Sequence, residues 1–193
     1  MKLALFGGAF DPIHNAHLRI AKEAARQFSL DQVLFVPAAN PPHKTVHAPY
    51  EDRFRMLELA VKNEPGMVAS RLEAETAQSF SIDTIEKLKQ QIGVEDQLFF
   101  LIGADAFAEI RTWKRWQDVG REVEFIVISR PGNRYEVPPE TRIHRLDTVQ
   151  LTVSSSEIRA RLAAGDSPSE VPEPVLEYIR ENKLYVHTPS ARN

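Results

Sequence analysis

The sequence of 193 residues contains no cysteine, which excludes disulfides, thiolate metal ligands and cysteine nucleophiles. It also lacks an apolar run long enough to span a bilayer, and the apolar start Met1–Phe6 is too short for a signal peptide. The net charge of −3 provides no overall basic field, so we expect neither nucleic acid nor a membrane as a partner. These absences predict a soluble, cytoplasmic protein, and the length predicts a single domain over residues 1–193.

Short apolar runs alternate with longer stretches in which apolar residues recur every three or four positions. This alternation favours an α/β fold with a Rossmann-like parallel sheet flanked by helices, followed by a small helical C-terminal part. The predicted strands are Leu3–Phe6, Val33–Pro37, Met67–Arg71, Leu98–Ile102, Glu124–Ser129 and Ile143–Leu146. The predicted helices are Ala16–Phe28, Tyr50–Lys62, Ser81–Ile92, Ala106–Arg111, Glu157–Leu162 and Pro174–Asn182.

Two glycines and two histidines follow the first predicted strand, where a parallel sheet places its ligands. Gly7 and Gly8 allow close approach of the backbone to a ligand and a positive φ without strain. His14 and His17 are three residues apart at the start of the next helix, so their side chains share a face. Because free amides and the helix dipole attract anions there, the segment predicts a phosphate site that stabilises a leaving pyrophosphate.

Other interpretations of the two histidines are solvated surface residues or a zinc site. The chain lacks the HExxH pattern, and the positive end of a helix repels cations, so we predict no protein metal site. Neither GxGxxG nor a Walker sequence is present, so the phosphate site must be of another kind.

The segment Gly-Gly-x-Phe-Asp-Pro-x-His-x-x-His over residues 7–17 resembles the signature of the HxGH nucleotidyltransferases. Together with the other motifs, it makes the chain most similar to the bacterial nicotinate mononucleotide adenylyltransferases. Ala16 replaces the glycine usual between the histidines, and we expect it to narrow the space beside the nucleotide slightly. The other segments that match the family are Pro41–Lys44, Ser79–Thr84, Leu101–Asp105, Thr112–Trp113 and Val153–Arg159, the last with Ser156 where threonine is common.

The resemblance implies that His14, His17 and Arg159 are catalytic, holding the triphosphate and neutralising the departing pyrophosphate. Alternatives are a plain capped helix at Ser154–Glu157 with a solvated Arg159, and a helix N-cap role for Asp105. The implied ATP-binding residues are Gly7, Gly8, Phe10, His14, His17, Gly103, Asp105, Ser155, Ser156 and Arg159. The implied residues for the second substrate are Lys44, Ser81, Thr84, Trp113 and Arg130, with Trp113 stacked on a pyridine ring.

The implied reaction joins ATP to nicotinate mononucleotide, giving nicotinate adenine dinucleotide (deamido-NAD) and pyrophosphate for NAD biosynthesis. No covalent nucleophile is required, and Mg²⁺ would enter on the phosphates of ATP. Two alternatives remain: an adenylyltransferase acting on phosphopantetheine, and a non-catalytic nucleotide-binding regulator with the same fold. Trp113 and Pro41–Lys44 argue against the first, and retention of the triphosphate-binding residues argues against the second. The sequence leaves the oligomeric state open, a homo-oligomer included.

Overall fold

The computed structural model describes residues 1–42, 45–129, 134–147 and 153–186. Within these ranges one sheet contains six strands, and every adjacent pair is parallel. The strands are β1 (Lys2–Gly8), β2 (Gln32–Pro37), β3 (Met67–Ala69), β4 (Gln97–Gly103), β5 (Glu124–Ile128) and β6 (Ile143–Leu146). Their order across the sheet is β3-β2-β1-β4-β5-β6.

The central strands are apolar on both faces because helices cover both sides of the sheet. In β1, for example, Ala4 and Phe6 belong to one core cluster, whereas Leu3 and Leu5 belong to the other. The helices are α1 (Asn15–Phe28), α2 (Tyr50–Val61), α3 (Ser81–Lys89), α4 (Ala104–Ala108), α5 (Trp116–Glu122), α6 (Ser155–Ala163) and α7 (Glu173–Glu181).

The helices divide between the two faces according to the core cluster they enter. Buried residues of α1, α2, α6 and α7 join the first cluster, represented by Ile20, Met56, Ile158 and Val175. Buried residues of α3, α4 and α5 join the second. None of the helices in the described ranges is long and apolar enough to cross a membrane.

The strand order reverses between β1 and β4. The chain proceeds from β1 to β2 and β3 on one side, then crosses to β4 on the other. A crevice opens at such a reversal beyond the carboxyl ends of the strands, and it is where open α/β sheets bind ligands. Gly8 ends β1 and Gly103 ends β4, so the two predicted nucleotide segments meet at this crevice.

The predicted fold class is confirmed, and strand bounds differ from the prediction by at most two residues at either end. The helices differ from the prediction in three places: α5 was not predicted, α3 ends at Lys89 instead of Ile92, and the helix predicted over Ala106–Arg111 is divided. The helix predicted over Ala106–Arg111 begins at Ala104, directly after β4, and ends at Ala108, with a separate 3₁₀ turn over Ile110–Thr112. Gly103 is its N-cap and Asp105 lies inside the first turn, so the N-cap interpretation of Asp105 is wrong. The single-domain assignment stays a prediction.

Candidate active site

The loop between β1 and α1 carries the glycines and histidines. Neither glycine has a positive φ; the left-handed residue is Phe10, with a φ of 47°. A Cβ atom on Gly8 would lie 3.1 Å from the Phe10 ring, so a side chain here would require that ring to shift by a few tenths of an ångström. Gly7 is exposed at the crevice, where a Cβ atom would meet only the tip of Phe100 at 3.9 Å. The predicted positive φ at the glycines is therefore wrong, whereas open space beside Gly7 suits a ligand.

Phe10 is only 2% exposed, and its ring belongs to the first core cluster. Its centroid lies 5.1 Å from that of the His17 imidazole, with the two ring planes at 74°. The side chain is thus unavailable to ATP, and any contact that Phe10 makes with the nucleotide must come from its backbone.

The two histidines lie side by side at the N-terminus of α1. His14 is the N-cap residue and His17 lies in the first turn, with ring centroids 3.8 Å apart. The backbone N–H of His14 donates to Nδ1 of His17 at 3.3 Å, so a neutral His17 carries its proton on Nε2. His14 is buried, and its Nδ1 atom has no hydrogen-bond partner within the described part of the chain. Burial lowers the pKa of His14 to about 4, despite the opposing charge of Glu170, so His14 is neutral at pH 7.

Asp11 fixes the middle of this loop. Its carboxylate is buried and accepts hydrogen bonds from the backbone N–H groups of His47 (2.6 Å) and Ala48 (3.1 Å) and from the Tyr185 hydroxyl (2.6 Å). Burial alone would raise the pKa of the carboxyl, but these bonds and the nearby Arg159 charge outweigh it and lower the pKa. The loop is therefore built around an ionised, buried carboxylate.

Helix α6 brings the second predicted anion site to the same loop. Arg159 Nη1 donates to the Asp11 carbonyl at 2.7 Å, and the Ser155 hydroxyl donates to the Pro12 carbonyl at 3.1 Å. Arg159 Nη2 also donates to the Ser156 hydroxyl at 3.1 Å. The capping box predicted at Ser154 and Glu157 is confirmed and starts α6 at this point. The structure thus places Arg159 against the histidine loop, 148 residues away in sequence.

Arg53 joins the loops that follow β1 and β2. Its side chain is 0% exposed, and the guanidinium donates to three backbone carbonyls at 3.1 Å or less: Ala48, Ala9 and Ala38. A fourth, longer bond reaches Ala39 at 3.5 Å. Because a guanidinium presents donors in a planar fork, one side chain can satisfy carbonyls from both loops.

The residues at the end of β4 lie beside open space in the crevice. A Cβ atom on Gly103 would meet nothing within 4 Å, and Asp105 is exposed in the first turn of α4. Both residues therefore lie at the surface of the crevice between β1 and β4, where the resemblance placed the adenosine.

The segments predicted for the second substrate also lie close together. Asn40 donates its backbone N–H to Ser79 Oγ at 3.1 Å and its side-chain N–H to the Thr76 carbonyl at 3.0 Å. The ammonium of Lys114 lies 4.6 Å from the centre of the Phe80 ring, which places the start of α3 beside Trp113. Trp113 itself is half-buried, with its ring edge-on to Phe100 and the centroids 5.8 Å apart.

Ser81 and Thr84 differ in whether their hydroxyl groups are available to a ligand. Ser81 is half-buried in the first turn of α3, where the Asp83 N–H already donates to the Phe80 carbonyl at 3.1 Å. Thr84 is buried, and its hydroxyl donates to Glu73 at 2.5 Å. The Thr84 hydroxyl is thus committed to a protein carboxylate, whereas Ser81 remains placed to contact a ligand.

Lys44 and Arg130 lie outside the described residues. Within the described ranges, no group of three or more His, Asp or Glu side chains is placed to hold a metal ion.

Sequence reasoning missed three residues that shape the site: Arg53, Glu73 and Tyr185. Arg53 had a detectable signal, because it lies three and four residues before Met56 and Leu57 on the buried stripe of α2. Glu73 and Tyr185 lie in irregular segments with no periodicity, and their partners come from distant parts of the chain.

Comparisons with known proteins identify the family of the chain. The cytidylyltransferase-like family model matches residues 5–161. A nicotinate-nucleotide adenylyltransferase by name, from Solibacter usitatus, is 57% identical over 187 residues, covering 96% of this chain and 100% of its own. A relative of the same name from Thermus thermophilus is 41% identical with the same coverage.

Among solved structures, the nicotinic acid mononucleotide adenylyltransferase of Plasmodium falciparum, complexed with NaAD, superposes with a TM-score of 0.78. It is 19% identical, and the match covers 95% of this chain and 97% of that one. At this identity the likeness concerns the fold alone, and the family follows from the relatives and the family model: the chain belongs to the nicotinate-nucleotide adenylyltransferase family of cytidylyltransferase-like proteins.

Proposed function

We propose that this protein transfers the adenylyl group of ATP to nicotinate mononucleotide, releasing pyrophosphate. The observation that carries the proposal is the meeting of two anion-binding segments in one crevice. Arg159 and Ser155 of α6 bond directly to the loop that carries His14 and His17. A triphosphate at this position would face imidazole, guanidinium and helix N-terminal donors together.

In the proposed reaction, a phosphate oxygen of the mononucleotide attacks the α-phosphorus of ATP in line. The new P–O bond forms as the bond from the α-phosphorus to the β-phosphate oxygen breaks, and that electron pair leaves with pyrophosphate. Because the attacking phosphate is already ionised at neutral pH, the protein supplies positioning and charge stabilisation. Magnesium would enter as MgATP, since it keeps several waters and takes few protein ligands.

The roles of the two histidines differ in this scheme. Neutral His17, with its proton on Nε2, is a donor to the phosphate chain. His14 is neutral in the free protein because it is buried. A bound triphosphate would raise the pKa of His14, since nearby negative charge favours the protonated imidazole.

The mononucleotide site is proposed at Asn40, Ser81 and Trp113, with Lys44 and Arg130 as further contacts. Ser81 and the first-turn amides of α3 are donors, which suit the carboxylate of nicotinate better than the NH₂ of nicotinamide. A donor facing a donor in a buried site costs roughly 1–3 kcal/mol. We therefore expect specificity constants that favour nicotinate mononucleotide by about one to two powers of ten, at ~1.4 kcal/mol per decade.

The decisive experiment incubates the protein with MgATP and, separately, nicotinate mononucleotide, nicotinamide mononucleotide and phosphopantetheine. Dinucleotide is resolved by chromatography, and pyrophosphate is measured in parallel. The proposal requires equimolar deamido-NAD and pyrophosphate, with the highest specificity constant for the nicotinate substrate. Preferential use of phosphopantetheine would contradict it, and so would binding of ATP without release of its pyrophosphate in the presence of any of the acceptors. Equal values for the two pyridine substrates would show that the donors of α3 do not contact the base.

A further inference from the structure

The chain returns to the histidine loop after its last helix. Beyond α7, Tyr185 adopts a left-handed backbone conformation with a φ of 61°. Its half-buried ring packs against the first core cluster, and its hydroxyl donates to Asp11 Oδ1 at 2.6 Å. A non-glycine residue keeps such a conformation only where its surroundings fix it. The packing and the hydrogen bond of Tyr185 therefore hold its backbone in place.

Asp11 lies three residues before His14 and receives hydrogen bonds from separate parts of the chain. Oδ2 accepts the His47 N–H, whereas Oδ1 accepts the Ala48 N–H and the Tyr185 hydroxyl. Because the carboxylate is 2% exposed, water cannot replace a missing donor without opening the loop. These donors therefore hold the loop together with the bonds that Arg159 and Ser155 make to its backbone.

On this basis, and resting on the proposed function, we infer that Tyr185 is a positioning residue for adenylyl transfer. Its hydroxyl holds the Asp11 carboxylate, and Asp11 in turn orients the loop that presents His14 and His17 to the triphosphate. Tyr185 need not touch either substrate. Its loss should therefore affect the transition state, which requires accurate alignment, more than the binding of the pyridine mononucleotide, which involves other segments.

A matched control is Tyr178, which lies seven residues before Tyr185. Tyr178 in α7 also packs against the first core cluster and donates its hydroxyl to a carboxylate, Asp52 Oδ1, at 2.7 Å. Both phenols link the C-terminal part to the rest of the chain through one hydrogen bond of similar length. Only the Tyr185 bond reaches the histidine loop, because Asp52 belongs to α2.

The test compares the parent protein, Tyr185→Phe and Tyr178→Phe in steady-state kinetics with MgATP and nicotinate mononucleotide. Urea denaturation of each variant gives the folded fraction, and kcat is expressed per folded molecule. We expect Tyr185→Phe to lower kcat about 10- to 100-fold, the range that small misplacement of catalytic groups produces. The KM for the mononucleotide should stay within about threefold of the parent value, as uniform binding is unchanged. Tyr178→Phe should retain the parent kcat.

With an active parent protein, three outcomes would overturn the assignment. Equal kcat values for the two variants would make Tyr185 a structural residue only, and so would a kcat loss explained by the folded fraction. A rise in KM at unchanged kcat would make it a determinant of binding. If the parent protein formed no dinucleotide, the proposed function would fail first, and the assignment would fall with it; an active parent with an unaffected Tyr185→Phe variant would refute the assignment alone.

Discussion

Replacement of Arg53 by lysine tests how far the loops of the site depend on one buried guanidinium. Arg53 makes three hydrogen bonds of 3.1 Å or less to carbonyls of two loops. Lysine keeps the charge, but its ammonium is a point donor on a flexible stem and cannot reproduce the planar fork. We expect it to retain one of the three bonds and to leave two carbonyls without a donor.

The size of the effect follows from these two lost bonds. A hydrogen bond to a charged group contributes about 1.5–3 kcal/mol, so two give roughly 3–6 kcal/mol. Burial lowers the pKa of the Arg53 guanidinium because the charge is costly to bury, and lysine does not remove this cost, since its ammonium is also charged and is more strongly hydrated. We therefore expect the free energy of unfolding to fall by about 3–6 kcal/mol.

The assay is urea denaturation followed by circular dichroism. With a slope near 2 kcal/mol per molar urea, the midpoint should fall by roughly 2 M. Arg55→Lys is the matched control on the same helix: its side chain is 54% exposed and pairs with Glu58 at 3.1 Å. Such a surface pair contributes about 0–1 kcal/mol, so the control should lose little. A midpoint for Arg53→Lys equal to that of Arg55→Lys would refute the reasoning.

Three further predictions concern the histidine loop and α6. His17→Ala should lower turnover by about 10²–10³, the usual loss for one donor to developing charge, with the mononucleotide KM little changed; near-normal turnover in steady-state kinetics would contradict the assigned role. Arg159→Lys should fail to restore ATP affinity and turnover, because one ammonium cannot reach both the Asp11 carbonyl and Ser156; parent-like titrations with ATP would make Arg159 dispensable. His14 has a pKa of about 4 when folded and an ordinary pKa of 6.5 when unfolded, so the unfolded state takes up the proton first as the pH falls. Stability should decline between pH 6.5 and 4, by up to roughly 3 kcal/mol, and His14→Gln should flatten that slope in urea titrations; an unchanged slope would show that His14 is not the titrating group.

The four central strands β1, β2, β4 and β5 could be predicted well because they are buried on both faces, whereas the edge strands β3 and β6 are only partly buried. A run such as Val33–Val36 is apolar without interruption and has no plausible place outside a covered parallel sheet. Helix α5 escaped prediction for the converse reason: only Val119 and Gly120 are buried among its residues, so its sequence has no apolar stripe. The presence of an apolar run or an apolar stripe therefore decided which strands and helices could be predicted.

The chemistry of the site was predictable from local patterns, but its geometry was not. The motif around His14 and His17 identifies an anion site, because residue types and spacing suffice for that inference. The residue with the left-handed conformation is Phe10 and not a glycine, and the Phe10 ring packs against the His17 ring. Similarly, nothing in the sequence around Thr84 shows that its hydroxyl is committed to Glu73. Such facts depend on tertiary contacts, which no local pattern encodes.

The hydrogen bonds between the histidine loop and the C-terminal segments can form only after those segments have been synthesised. Asp11 receives Arg159 and Tyr185 from 148 and 174 residues further along the chain. While the ribosome is still translating the central strands, the loop lacks these donors, and contacts of such long separation form late in folding. A nascent chain can therefore complete much of its sheet without presenting an organised nucleotide pocket. A chain that ends before Tyr185 lacks the donor to Asp11 Oδ1, so its sheet can form while the histidine loop still lacks one of the bonds that hold it.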